Sequence, residues 1–284
     1  MQAARNRVGH IPRDWKYTIL NTENQVFDKL LELSGKAWLY RGQPSRYGCL
    51  VPSIDRGPLA NLSRLDKLSL ERRSIVLFRS NARFFGHPGE EAALTDDFVA
   101  LMVLRHHEVP TRLLDWSKSP YVAAYFAACE NDEDGEIWSF DEPLYEKNGK
   151  KQWKCWPETT RDGSGDADKF SAELTAFATK DPPKADWFIC GFYLPGFHRQ
   201  NAQNSAYTLT ARFGRDHAEA IAHLVDDEAG HHLYVVPAKI KAALRVRLRE
   251  RFGIWHGSLF PDSARAAQMA STVFDQYMKG GSPS

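Results

Sequence analysis

Two apolar stretches bracket a short segment crowded with charge, and this arrangement constrains the fold more than any other feature of the chain. Asp96 to His106 reads as a helix with an apolar interior, capped by Thr95 and stopped before Pro110. Ser119 and Pro120 open a second helix in the favoured order of cap then proline; Val122 to Ala127 is nearly all apolar or small, which marks it as buried. Between them runs Arg105-His106-His107-Glu108-Val109-Pro110-Thr111-Arg112-Leu113-Leu114-Asp115-Trp116. Buried flanks force these polar groups to find partners. Arg112 and Asp115 are close enough to pair with each other or with Arg41. Two readings stand side by side: an ion network that locks the segment, or a binding site. A buried ion pair adds little net stability, because desolvation roughly offsets the Coulomb gain, and this lends weight to binding.

Around this centre the pattern divides. Asn24 to Gly35 and Leu65 to Phe85 read as helices, separated by a short aromatic strand at Ala37 to Arg41 and a long turn-rich loop carrying Pro44, Gly48, Pro52 and Gly57. Such a long loop in a compact domain is more often functional than not. After the turn at Asn131 to Gly135 the strands Glu136 to Phe140, Trp187 to Tyr193, Tyr207 to Thr210 and His232 to Val236 follow. They alternate with helices at Asp166 to Thr179, Asp216 to Val225, Lys239 to Phe252 and Ser263 to Met278. The expectation is a single α+β domain over residues 1–284, with a core at about 22–279 and a tail at 280–284. Its helical first half would pack on a mixed, mainly antiparallel sheet.

Composition narrows the setting. The net charge of +1 gives no global basic field for nucleic acid. The four cysteines form no CxxC pair, so no metal site is expected, and scattered thiols suit a reducing, cytoplasmic compartment. No window approaches the roughly 20 apolar residues of a membrane span, and the N-terminus is not a secretory signal.

Three further segments carry chemistry. In Tyr40-Arg41-Gly42-Gln43 a guanidinium at a strand end, followed by glycine, suits a phosphate or carboxylate approached closely by backbone; the rival reading is a salt-bridged arginine before a turn. His198-Arg199-Gln200-Asn201-Ala202-Gln203-Asn204 is a loop of amides leading into a strand, fit to read a base or to satisfy a turn. Asp262, in Leu259-Phe260-Pro261-Asp262, is placed as the cap of the last helix. Two basic stripes, Lys67, Arg72, Arg73, Arg79 and Arg83 on one helix and Lys241, Arg245, Arg247, Arg249 and Arg251 on another, either track phosphates or are ordinary solvated faces.

Tyr40-Arg41-Gly42-Gln43 with Leu50-Val51-Pro52-Ser53 resembles the opening of the FRG domain family, and Arg105 to Trp116 resembles its QHYGLPTRLLDW segment. Ser119 to Ala127, the run from Arg199 through Gln203 to Thr208, and Gly253-Ile254 with Leu259 to Asp262 are similar to its later motifs. Arg105, His107, Glu108 and Ser205 depart from the family's glutamine, tyrosine and two glycines. The resemblance implies a fold related to ADP-ribosyltransferases, and a toxin of bacterial toxin–antitoxin or anti-phage systems. NAD would be the co-substrate, RNA or protein the acceptor, and an antitoxin a further partner. It places Arg41, Asp115, Asp262 and His106 in catalysis, and Tyr40, Gly42, Gln43, Ser53, Thr111, Arg112, Gln203, Tyr207 and Thr208 at the cofactor. The superfamily's Gln/Glu-x-Glu pattern is absent, which keeps two alternatives: a non-catalytic nucleotide- or phosphate-binding module, and a metal-independent nuclease-like toxin using His106 and His107.

Overall fold

The computed structural model describes residues 15–85, 91–129, 132–152, 188–192, 198–210, 212–224 and 229–261. The chain runs β1 (Tyr17–Ile19), α1 (Glu23–Ser34), β2 (Trp38–Gln43), α2 (Arg64–Phe85), α3 (Asp97–His106), β3 (Leu114–Ser117), α4 (Pro120–Ala127), β4 (Gly135–Asp141), α5 (Glu142–Gln152), β5 (Phe188–Phe192), α6 (His198–Gln203), β6 (Ser205–Thr210), α7 (His217–Leu224), β7 (His231–Val236), α8 (Ala238–Phe252) and α9 (His256–Leu259). Two short 3-10 turns lie in the Pro44–Ser63 loop. The expected helices at 166–179 and 263–278, and Asp262, lie outside the described residues.

The strands form one seven-stranded sheet in the order β1-β7-β4-β2-β3-β6-β5. Only β1 and β7 are parallel; the other pairs are antiparallel. The mixed α+β architecture is therefore as expected, but the two halves are less segregated. β1 to β3 come from the first half of the chain, and β3 occupies part of the charged segment. Strands of three to six residues with polar members carry little signal of their own; pairing with neighbours makes them.

Side-chain alternation along the strands gives each face its own core. On one face, Tyr40, Ile137, Tyr234 and Val236 pack with Val26, Leu30 and Leu33 of α1, the apolar α4, and Leu244 and Leu248 of α8. On the other, Leu39, Trp116, Trp138, Phe140 and Leu233 pack with Trp15, Tyr145 and α7. A third cluster joins α3 to Leu113, Tyr207 and Leu209.

Local chemistry fixes the segments that frame the site. α3 is capped by Asp96, not Thr95: its carboxylate accepts from the backbone N–H groups of Phe98 and Val99. A carboxylate also gains from the positive end of the helix dipole. The helix ends at His107, and Glu108 then turns left-handed at φ 65°. α4 begins as expected, with the Ser119 hydroxyl accepting from Val122 N. It lies directly on the sheet, because a Cβ on Gly42 would fall 1.9 Å from the carbonyl oxygen of Ala123, and one on Gly135 2.1 Å from that of Ala127. These glycines let strand and helix backbones touch.

Candidate functional site

The sheet has a seam. β2 pairs with β4 over six residues, but with β3 only at Tyr40 opposite Ser117. Beyond that point β2 and β3 part, and a cavity of about 190 Å³ opens beside the gap. The end of α3 and its left-handed turn, the body of α4, the helix α6 and Phe260 close its sides.

Arg41 bridges the seam. Its Nη1 donates to the main-chain oxygen of Asp115 at 2.5 Å and stands 3.8 Å from Asp115 Oδ2, while its Nε is buried with no hydrogen-bond partner. The same carboxylate oxygen accepts from Arg105 Nε at 2.6 Å. Arg105 is aimed by Ser53, whose hydroxyl accepts from Arg105 Nη1 at 3.1 Å and from the N–H of Thr111 at 3.2 Å. Arg56 stands close enough to repel both guanidinium groups. Two guanidinium groups thus share one carboxylate, with the charge of Arg56 nearby, and the cluster carries an excess of positive charge.

Electrostatics follow this count. Burial pulls Arg41 down to about 9; Asp115 pulls it up, and Arg56 and Arg105 push it further down. It remains charged at neutral pH, in a place where charge is poorly solvated. Arg105 is held above the ordinary arginine range by Asp115, against the effect of burial. An anion delivered to the seam would favour the charged form of Arg41.

The structure gathers six of the expected residues at the cavity: Tyr40, Arg41, Gly42, His106, Asp115 and Gln203. Three of these have other work. The Tyr40 hydroxyl donates to Leu33 O at 2.7 Å, and Gly42 serves the contact with α4. Gln203 donates from Nε2 to Leu259 O at 3.0 Å, which ties α6 to the turn carrying Phe260. His107 caps α3 and is not among the lining residues.

The remaining expected residues line the surrounding frame. Arg112 is buried against Glu71 of α2, which accepts from its Nε at 2.9 Å, its Nη2 at 2.5 Å and its backbone N–H at 2.9 Å. It therefore pairs with neither Asp115 nor Arg41. Gln43 is buried and donates to Cys49 O. Thr111 is buried and accepts from Leu113 N. Tyr207 stands opposite Asp115 in the ladder; its hydroxyl accepts from Gln200 Nε2, and burial raises it above the ordinary phenol range. Thr208 accepts from Trp116 Nε1 at 2.8 Å and shares a hydrogen bond with His217 Nδ1. Burial, with Arg41, Arg56 and Arg215 adding to it, drives His217 down to about 3, so the ring is neutral.

Sequence reasoning left out Arg105, Glu108, Arg199, Phe126 and Phe260, all of which line the cavity. Arg105 and Glu108 stand in the charged segment itself. Arg199 precedes Gln203 by one helical turn, a spacing that only matters once 198–203 is known to be helix rather than loop. Arg199 lies over the Phe260 ring at 4.2 Å and stands 3.7 Å from Glu108.

Half of the residues in the basic stripes are engaged within the chain. Lys67 is buried against Asp55, and Arg79 pairs with Asp97. Lys241 donates to the carbonyls of Pro44 and Glu133, and Arg245 to that of Ala128. Arg247 donates to Asn24 Oδ1. Among the described residues, no group of three or more His, Cys, Asp or Glu is placed to hold a metal ion. None of the described helices is long and apolar enough to cross a membrane.

Residues 36–136 match the family model of the FRG domain. No curated protein and no solved structure matches the chain. The matched stretch runs from just before β2 to the start of β4 and supplies Arg41, Arg105, His106, Asp115 and the α4 wall. Arg199, Gln203 and Phe260 come from beyond it. The residues on both sides of the seam thus lie within the stretch that matches the FRG domain family.

Proposed function

We propose that the chain is an ADP-ribosyltransferase that consumes NAD, with the cavity at the seam as its site. One observation carries this reading: the buried Arg41 Nε has no partner, beside Arg105, with the two guanidinium groups sharing the single Asp115 carboxylate. Such a cluster suits a phosphoryl group, which accepts several charge-assisted hydrogen bonds at once. The cavity is smaller than the few hundred Å³ of a pocket that engulfs a drug-sized ligand. It takes one end of a dinucleotide, with Phe126 and Phe260 among its apolar lining.

In this reading Arg41 holds a phosphate of NAD, and Asp115 faces the ribose carbon from which nicotinamide departs. The glycosidic C–N bond breaks with its electron pair going to nicotinamide. Positive charge develops on the ribose and is opposed by the carboxylate. The acceptor then bonds to that carbon and loses its proton. The acceptor is a macromolecule, RNA or protein, and the chain acts as a toxin or defence effector. A division into two ladders joined at one residue pair also suits a cleft fold related to ADP-ribosyltransferases.

The test is turnover of labelled NAD by purified protein with cell RNA or protein as acceptor. Asp115→Asn is expected to lower turnover about 100-fold or more while binding persists; Arg41→Ala is expected to abolish both, and to remove any growth inhibition on expression. Nicotinamide release that survives both substitutions would refute the assignment.

A binding module without turnover is the second reading. It is favoured by the 2.6 Å contact of Arg105 with Asp115, which commits that carboxylate oxygen. Calorimetric NAD binding with no nicotinamide released would select it.

A further inference from the structure

The cavity holds two charged groupings. Arg41, Arg105 and Asp115 form one at the seam. Glu108, Arg199 and Phe260 form the other, contributed by the α3 turn, α6 and the residue after α9, with Glu108 also near enough to act on Arg105. The second grouping is unevenly buried. The Glu108 side chain is 71% exposed, whereas that of Arg199 is only 19% exposed.

Arg199 does not depend on Glu108 for its position. Its guanidinium lies over Phe260, and Gln203, one turn later on α6, is hydrogen-bonded to Leu259 beside that ring. His256 stacks on Phe260 as well, at 4.5 Å. Glu108 reaches Arg199 from a strained left-handed position, across 3.7 Å. A pair held at 3.7 Å whose carboxylate stands mostly in solvent is worth little and is easily displaced.

From this arrangement we infer that Arg199 is a second anion-contact point, and that Glu108 is a built-in competitor that occupies it until a ligand arrives. The inference rests on the phosphate reading of the seam. A ligand with one phosphate satisfies Arg41 and leaves the Glu108–Arg199 pair intact. A ligand with a pyrophosphate brings a further charged group that replaces the Glu108 carboxylate on Arg199. The site therefore selects the pyrophosphate class over monophosphates, and Glu108 sets the strength of that selection.

The experiment is calorimetry on the full chain with AMP and ADP-ribose at fixed salt. Wild-type protein is expected to bind ADP-ribose more tightly. Glu108→Gln is expected to raise affinity for ADP-ribose about two- to fivefold and that for AMP less than about twofold, the scale of one exposed ion pair. Arg199→Gln is expected to erase the preference. Glu108→Gly gives the same shift in a variant that also relieves the left-handed strain, so a fold defect cannot mimic the result. The inference is overturned if the Glu108 variants move both ligands equally or neither, or if Arg199→Gln leaves the preference intact. If wild-type protein binds neither nucleotide, the phosphate reading of the seam fails and takes this inference with it.

Discussion

Arg112 provides the sharpest separation between frame and site, because its motif position alone places it beside Asp115. In the structure it is matched to Glu71, with side-chain exposures of 4% and 3%. Arg112→Met removes both guanidinium hydrogen bonds and leaves a buried carboxylate with only the backbone N–H of residue 112. Breaking a buried pair from one side costs about 3–5 kcal/mol, since the stranded charge is left in low dielectric. The cation–π contact of Arg112 with Phe213, at 4.4 Å, is lost as well. Glu71→Gln combined with Arg112→Met removes the stranded charge and keeps an acceptor for the N–H. It is expected to recover about 2 kcal/mol or more of that loss. Urea unfolding followed by tryptophan fluorescence gives each value, and ADP-ribose calorimetry is run on the folded single variant. Destabilisation under about 1 kcal/mol, together with lost ligand binding, would refute this account and return Arg112 to the site.

Other expectations follow from the same contacts. Gly42→Ala drives a Cβ into three atoms of α4, at 1.9, 2.6 and 2.8 Å, two of them backbone. A loss of about 3 kcal/mol or more is expected, readable as a melting temperature lower by roughly 5 °C or more; an unchanged melting temperature would contradict the strand–helix contact. Glu136 is fully buried, and burial raises its carboxyl to about 7 from an unfolded value of 4.5, against hydrogen bonds from Trp138 and the backbone. The folded state then binds the extra proton between those values, so this group's contribution falls as pH rises from about 4.5 through 7. Glu136→Gln should gain on wild type in melting temperature between pH 5 and pH 8; a constant difference would sink the assignment. His217, lowered to about 3, works in the opposite sense and withdraws stability as pH falls below its unfolded value of 6.5. His217→Gln should narrow the gap to wild type on acidification from pH 7 to pH 5, measured by the same melts.

The sequence by itself determined the parts that depend on near neighbours. The helices α1, α3, α4 and α8 are set by apolar spacing and by caps such as Ser119, interactions that reach only one turn. The charged run between two apolar helices located Arg41's partner Asp115 in the right segment, for the general reason that buried charge must be matched. Tertiary structure decided the rest. Whether Arg112 faces Asp115 or Glu71 depends on α2 packing beside the segment, about forty residues away in sequence. Gly42 appears in sequence as room for a ligand, yet the space it leaves is taken by the backbone of Ala123. Arg199 reaches the cavity because 198–203 coils into a helix docked on Leu259, a contact across 56 residues that no local pattern records. The seam itself is a failure of two strands to continue pairing after one residue. Register between distant strands is fixed by the packing of the whole sheet, and the charges around Arg41 acquire their meaning only there.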